Sequence, residues 1–336
     1  MSDTTTIISK RDLIGPVTAL HFSSDDVLYI GRGSWLSAYS IITNKIIWNR
    51  CIFPNHGGRI HGIVSTDDYN CIAIYGQFQW TLLYDDNHVT KIQSTRDWIH
   101  CMKWMSTNNY LSMACAHGMI YIYQISSSHE EIPILKKKSS CPNPTIYGIT
   151  YCIDIVESPS SSLVWIAMGT PDKHVHVWSM SLSNHDDTIQ SNSCTSWKAH
   201  EGAIFHVHFV NDNDQLITCS EDRTIQYWKK VHSSGKYECT WKAYGHTARI
   251  WKCLSLQNMI VSCGEDSTVR FWDSNNGSEI SKVRIGNTIQ SLWTMSYSRQ
   301  HNFFSIGCNN GTVQFTSIQQ VPQQEQTISL PKIAHQ

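Results

Sequence analysis

The sequence is poor in charge. Asp, Glu, Lys and Arg make up only 16% of its 336 residues. With 26 basic and 27 acidic side chains the formal net charge is −1, so there is no whole-molecule basic field to track phosphates unaided. No window approaches the roughly 18 uninterrupted apolar residues that a membrane-spanning helix needs. The start, Met1-Ser2-Asp3-Thr4-Thr5-Thr6, has neither the basic nor the apolar stretch of a secretory leader. The 12 cysteines are scattered from Cys51 to Cys308 with no C-x-x-C pair, too sparse for a disulfide framework. Gly-x-Gly-x-x-Gly, a Walker loop and a glycosidase-type pair of acids are all missing, and Gly31-Arg32-Gly33 alone is too short to hold a phosphate. What remains is a chain expected to be soluble, in a reducing compartment and without a membrane partner. Its 41% hydrophobic content is enough for a substantial core and excludes disorder as the main state.

What the chain does have is tryptophan, 13 of them, and internal repetition. Residues 215–228 (QLITCSEDRTIQYW) align with 259–272 (MIVSCGEDSTVRFW), each an apolar strand, an acidic turn and a strand alternating into Trp. Asp222 to Trp228 and Asp266 to Trp272 are both six residues. Upstream stand Ala199-His200-Glu201-Gly202 and Gly245-His246-Thr247-Ala248, each followed by an alternating run. This is the layout of a WD repeat, one blade of a β-propeller. Weaker copies end at Tyr39, Tyr84, Tyr123, Trp178 and Thr316, with Asp172, His117 and Asn310 at turn positions. The seven terminal positions lie 39 to 55 residues apart. That spacing brackets the roughly 40–45 residues of a blade and predicts an all-β, seven-bladed WD-repeat β-propeller over 1–318.

The surplus length falls in 139–145, 157–162 and 183–195, rich in Ser, Asn, Asp and Pro and read as loops. Lys136-Lys137-Lys138 reads as a solvated strand end. Residues 319–336, Gln-rich and without strand period, read as a mobile tail. If each repeat runs outer strand first, the seventh blade lacks its outer strand, and residues 5–10 are expected to supply it and close the ring.

In the two strongest repeats, His200, Thr218, Asp222 and Trp228, then His246, Ser262, Asp266 and Trp272, occupy positions for a hydrogen-bonded tetrad. Imidazole donates to carboxylate, the hydroxyl bridges, and the indole N–H ends the relay. Asp, His and a hydroxyl also make up a hydrolase triad, but a nucleophile is unique and exposed, whereas this set recurs at matching positions. It is read as bracing. His174-x-His176 and His206-x-His208 put imidazoles on one strand face, but no third ligand follows at a suggestive spacing, so no metal is assigned. Nothing nominates a catalytic residue or a cofactor. Interaction is expected on the rim where innermost strands begin: Arg59-Ile60-His61, Trp98-Ile99-His100, Ala203-Ile204-Phe205 and Arg249-Ile250-Trp251. There the Ile is buried, and Arg59, His61, Trp98, Arg249 and Trp251 form the candidate surface, in keeping with the Arg and Trp enrichment of interface hot spots.

Particular strings carry a family resemblance. GPVTAL (15–20), RIHGI (59–63), RDWIHCMKW (96–104), SEDRTIQYW (220–228), GHTARIWK (245–252) and VSCGEDSTVRFW (261–272), in that order, resemble the WD repeat-containing protein 6 family from about residue 15 to 316. The resemblance implies a cytoplasmic, non-catalytic regulator that partners an FtsJ-like methyltransferase. That enzyme methylates the ribose 2′-hydroxyl of the tRNA wobble nucleotide, and tRNA is met through the complex. Family chains are longer and continue into a further propeller. Two alternatives stand beside this reading. One is a generic interaction propeller such as a cullin ubiquitin-ligase substrate receptor, weakened because Ser274-Asn275 follows Trp272-Asp273 where such receptors carry Arg. The other is an enzyme with two carboxylates facing each other across the channel about 5–9 Å apart.

Overall fold

The computed structural model describes residues 15–317, apart from 24–25, 55–57, 67–70, 85–87, 106–109, 126–132, 142–149, 159–162, 183–193, 211, 257 and 287–288, together with residues 327–328. Seven four-stranded antiparallel sheets occupy 17–51, 62–94, 99–140, 152–198, 204–244, 250–284 and 292–328. Among the described residues the one helical element is a 3-10 turn at Ala116–Gly118. The first strand of each sheet packs on the first strand of the next, and the last of them, Leu292–Ser298, returns to Val17–Phe22. The sheets are therefore the blades of a closed seven-bladed propeller, with first strands innermost.

The sequence pattern follows from that packing. The second and third strands of a blade are covered on both faces by neighbouring blades, so they read as near-continuous apolar runs. Met259–Gly264 and Thr268–Asp273 in blade six are examples, buried at almost every position. The outer strand Glu279–Arg284 faces solvent and alternates with charge. The core consists of seams between blades. Ile217, Cys219 and Tyr227 of blade five meet Ile250, Ile260 and Trp272 of blade six. Trp272 and Phe271 are each 1% exposed, and a fully buried large apolar side chain contributes about 1.5–3 kcal/mol. All seven repeat-terminal positions, from Tyr39 to Thr316, fall in the third strands of their blades.

The ring closes between blades one and seven through side chains. Val17, Leu20 and Tyr39 pack with Val313, and Phe315 lies against them. Phe22 meets Phe303 edge-on at 5.7 Å, and His301 pairs with Asp26 at 2.5 Å. The outer place of blade seven is held by Thr327–Ile328, paired to Gln314 and Val313. The reading of 319–336 as a tail without strand is corrected at these two residues. Backbone pairing of so short a strand needs no side-chain alternation, so it left no sequence signal. Residues 5–10 lie outside the described residues, as do most of the expected loops, 142–145, 159–162 and 183–193. Of the basic run, Lys138 is exposed on the outer strand of blade three, 5.7 Å from the Tyr121 ring.

Candidate functional site

The two tetrads are fully connected. In blade five the Trp228 indole donates to Thr218 Oγ1 at 3.0 Å, Thr218 Oγ1 lies 2.7 Å from His200 Nε2, and His200 Nδ1 lies 3.0 Å from Asp222. In blade six the same relay runs Trp272, Ser262, His246, Asp266 at 2.9, 2.7 and 2.8 Å. The indole N–H occupies the hydroxyl oxygen, so that hydroxyl gives its proton to Nε2 and the imidazole donates from Nδ1. Each Asp also accepts backbone N–H groups, from Glu201 and Thr224 in one blade and from Thr247 and Thr268 in the other. Burial alone would raise both carboxyls. The His contacts, the Thr hydroxyls and the backbone donors outweigh it and hold both well below the usual carboxylate range. Thr218 and Ser262 are 0% exposed. Buried and already bonded to an indole, neither hydroxyl can meet a substrate.

The weaker repeats show what each member needs. In blade four, Met168 stands at the place of Thr218, and the buried Trp178 indole finds no hydrogen-bond partner among the described residues. Its Asp172 is exposed and turns to His174. In blade seven a neutral pair replaces the ion pair, Asn310 Nδ2 donating to Gln290 at 2.9 Å. The Gly before His246 also has a cause. A Cβ on Gly245 would come within 2.7 Å of Arg270 and 3.0 Å of Trp272. In blade five the shorter Gln226 takes the place of Arg270, and Ala199 fits.

On the rim, Ile60, Ile99, Ile204 and Ile250 are all 0% exposed, and of their neighbours Ala203 is buried as well. Arg59 is exposed. Arg249 pairs with Glu221 of the preceding blade at 3.0 Å, so its partner lies within the chain. Trp98 lies edge-on to His61 at 5.4 Å and to Phe78 at 5.9 Å, and stacks on His100 at 6.2 Å. Burial, then the Arg59 charge, lowers His61 to about 4. Burial, then His61 and His117, lowers His100 to about 4. Trp251 contacts Phe205 at 4.5 Å and Trp293 at 6.4 Å.

Two groups escaped the sequence reading. Tyr151 and Trp293 occupy, in blades four and seven, the places that His61 and Trp251 hold in theirs, which aligning the degenerate blades would have located. Asp154 is the second. It accepts Lys103 at 3.3 Å, His208 at 3.1 Å and the Phe209 and Ile155 amides at 2.9 Å, joining blades three, four and five. Burial would raise its carboxyl, but Lys103, His208 and the Phe209 amide hold it well below the usual range. Asp154 and Glu157 are the carboxylates borne by the described inner strands, both in blade four. The two His-x-His pairs diverge in use. His174 bonds the Asp172 carbonyl oxygen, His206 lies 3.4 Å from Cys253 Sγ, and His208 bonds Asp154. Among the described residues no group of three or more His, Cys, Asp or Glu is arranged to hold a metal ion. Nor is any helix among them long and apolar enough to cross a membrane.

Comparison with known proteins agrees with this geometry. The WD domain, G-beta repeat, family matches residues 191–229 and 237–273, each running from one blade's outer strand to the next blade's third. The chain is similar to the tRNA (34-2'-O)-methyltransferase regulator WDR6 of Bos taurus, 24% identical over 171 residues. It is also similar to those of Rattus norvegicus, 26% over 174 residues, and Homo sapiens, 24% over 176. The matched stretch covers 48% of this chain and only 14% of each relative's length. Among solved structures, the computationally designed Ika8 protein superposes with a TM-score of 0.63 at 14% identity, covering 92% of this chain and 98% of that one. That likeness concerns the fold alone. The chain carries WD40 repeats within a propeller and resembles the WDR6 family over about half its length.

Proposed function

We propose that this chain is a non-catalytic WD-repeat scaffold that partners an FtsJ-like methyltransferase in ribose 2′-O-methylation of the tRNA wobble nucleotide. The observation that carries the reading is the similarity, over about half the chain, to relatives named as regulators of that methylation. The chemistry of the polar sets supports a non-catalytic part. The Asp, His and hydroxyl groups that a triad would use are bonded within the braces, with both hydroxyls at 0% exposure. The rim supplies the interaction surface in this reading: Arg59 exposed, Trp98 half-buried, and Arg249 held by Glu221. RNA is met through the complex, because the net charge of −1 provides no phosphate-tracking field. The setting is cytoplasmic.

The test is loss of the gene followed by mass spectrometry of tRNA nucleosides. Ribose 2′-O-methylation at the wobble position is expected to fall while methylation elsewhere in tRNA holds. Normal wobble methylation would overturn the reading.

A further inference from the structure

Five inner strands open with a residue at 0% exposure. Ile60 and Thr150, also at 0%, hold that place just ahead of the inner strands of blades two and four, and a further residue follows each at the head of its strand. In blades one, three, five, six and seven this following residue falls at a bulge in the pairing, which frees its side chain from the alternation of the strand. In six of the seven blades it is a ring: His61, His100, Tyr151, Phe205, Trp251 and Trp293. The rings touch across successive blades. Tyr151 stacks on Phe205 at 5.6 Å, Phe205 meets Trp251 at 4.5 Å, and Trp251 meets Trp293 at 6.4 Å. The arc is open to solvent at its ends, with Tyr151 45% and Trp293 36% exposed. Within the arc Trp251 Nε1, and beside it in blades two and three His61 Nε2 and His100 Nε2, are buried and make no hydrogen bond among the described residues.

One position deeper on the inner strands stand His206 and Lys252, and two positions below those comes the Lys103–Asp154–His208 cluster. Lys252 forms no ion pair among the described residues. Burial lowers the Lys252 amine below its ordinary range, against the Cys263, Cys101 and Cys253 thiols, which favour its charge. Asp154 matches Lys103 in this throat, and an anion placed beside Lys252 would favour its charged form.

We propose that collar and throat together form a binding site for a nucleoside phosphate, with the base against the aromatic arc and the phosphate toward Lys252. Flat faces over a cation fit a base bearing an anionic group. The three unpaired polar atoms decide between planar ligands. The edge of a base carries both donors and acceptors, which two neutral imidazoles and one indole N–H can use. The edge of a phosphotyrosine ring carries only C–H groups and would leave them unpaired. The ligand chemistry is the same whether the nucleotide is free or ends an RNA strand. The proposal does not depend on the methyltransferase reading.

The test uses the purified full chain alone, so its failure is separate from failure to find a methyltransferase. The four nucleoside 5′-monophosphates, the matching nucleosides, inorganic phosphate, a five-nucleotide RNA with a 5′-phosphate and a phosphotyrosine peptide are titrated by tryptophan fluorescence and calorimetry. A nucleotide is expected to quench the fluorescence and to bind at least roughly tenfold tighter than either its nucleoside or phosphate. Tighter binding of the mononucleotide marks a free ligand, and tighter binding of the RNA marks a strand end. Trp251→Ala is expected to weaken binding roughly tenfold or more, and Lys252→Met to erase the advantage of nucleotide over nucleoside. If Trp251→Ala does not fold, the more exposed Trp293→Ala takes its place. No nucleotide binding, binding of phosphate as tight as that of the nucleotide, or binding of the peptide alone would overturn the proposal.

Discussion

At the scale of single residues, the two tetrad carboxylates carry much of the polar bracing of their blades. Asp222 and Asp266 each accept an imidazole, a Thr hydroxyl and two backbone amides. Asp222→Ala or Asp266→Ala leaves buried donors unmatched and is expected to cost about 1–3 kcal/mol, read as a shift in urea unfolding midpoint. Trp272→Phe loses one hydrogen bond and leaves a cavity where part of the buried indole stood, so more than the roughly 1 kcal/mol of the hydrogen bond alone is expected. Acid should unfold the protein in two stages. His61 and His100 sit near 4 in the folded chain, below the free imidazole value, which is about 6.5. Between those values the unfolded chain binds more protons, so the stability they support is full above about pH 6.5 and drains as pH falls toward 4. The depressed carboxyls act lower: their contribution is full above the ordinary carboxylate range near pH 4 and is lost progressively as pH falls below that range toward their depressed values. Melting temperature scanned from about pH 8 to 2 checks both stages, and a double His61→Gln, His100→Gln variant should reduce the first, leaving the share of His176, which burial also lowers to about 4. A flat profile down to pH 4 in the parent chain would contradict the first stage.

At the scale of elements, blades five and six were legible because every local signal agreed: the six-residue Asp-to-Trp spacing, the preceding His, and apolar runs broken by acidic turns. The other blades keep the backbone while losing the signature. Met168 removes the bridging hydroxyl of blade four, and amides replace His and Asp in blade seven. Inter-blade packing sustains them without tetrads, so their third strands were found by apolar pattern and spacing alone. The bulged ring residues were harder to read. A lone Tyr151 or Trp293 after a buried residue looks like ordinary strand sequence until adjacent blades bring the rings together. The outer strand Thr327–Ile328 was not legible at all, being two backbone-paired residues in a Gln-rich stretch. Ending the chain at residue 318 bares the edge of Val313–Ser317, and exposed strand edges invite pairing between chains. A melting temperature lower by a few degrees and increased light scattering are expected. Unchanged values for both would show that this strand contributes nothing.

At the scale of the whole molecule, Arg59, Trp98 and Arg249 border the collar of ring side chains, with Trp98 packed on its His61 and His100. The propeller itself was readable from repetition, because a repeated unit must solve the same burial problem each time and so repeats its residues. The proposed partner rests on resemblance alone, since near-neutral charge and exposed arginines fit many partners equally well. The most direct measurement is affinity purification of the tagged chain followed by mass spectrometry of the proteins retained. The account predicts that an FtsJ-like ribose methyltransferase is recovered with the parent chain and lost from an Arg59→Glu, Trp98→Ala variant whose melting temperature matches the parent. Recovery of no methyltransferase with the parent chain would contradict it.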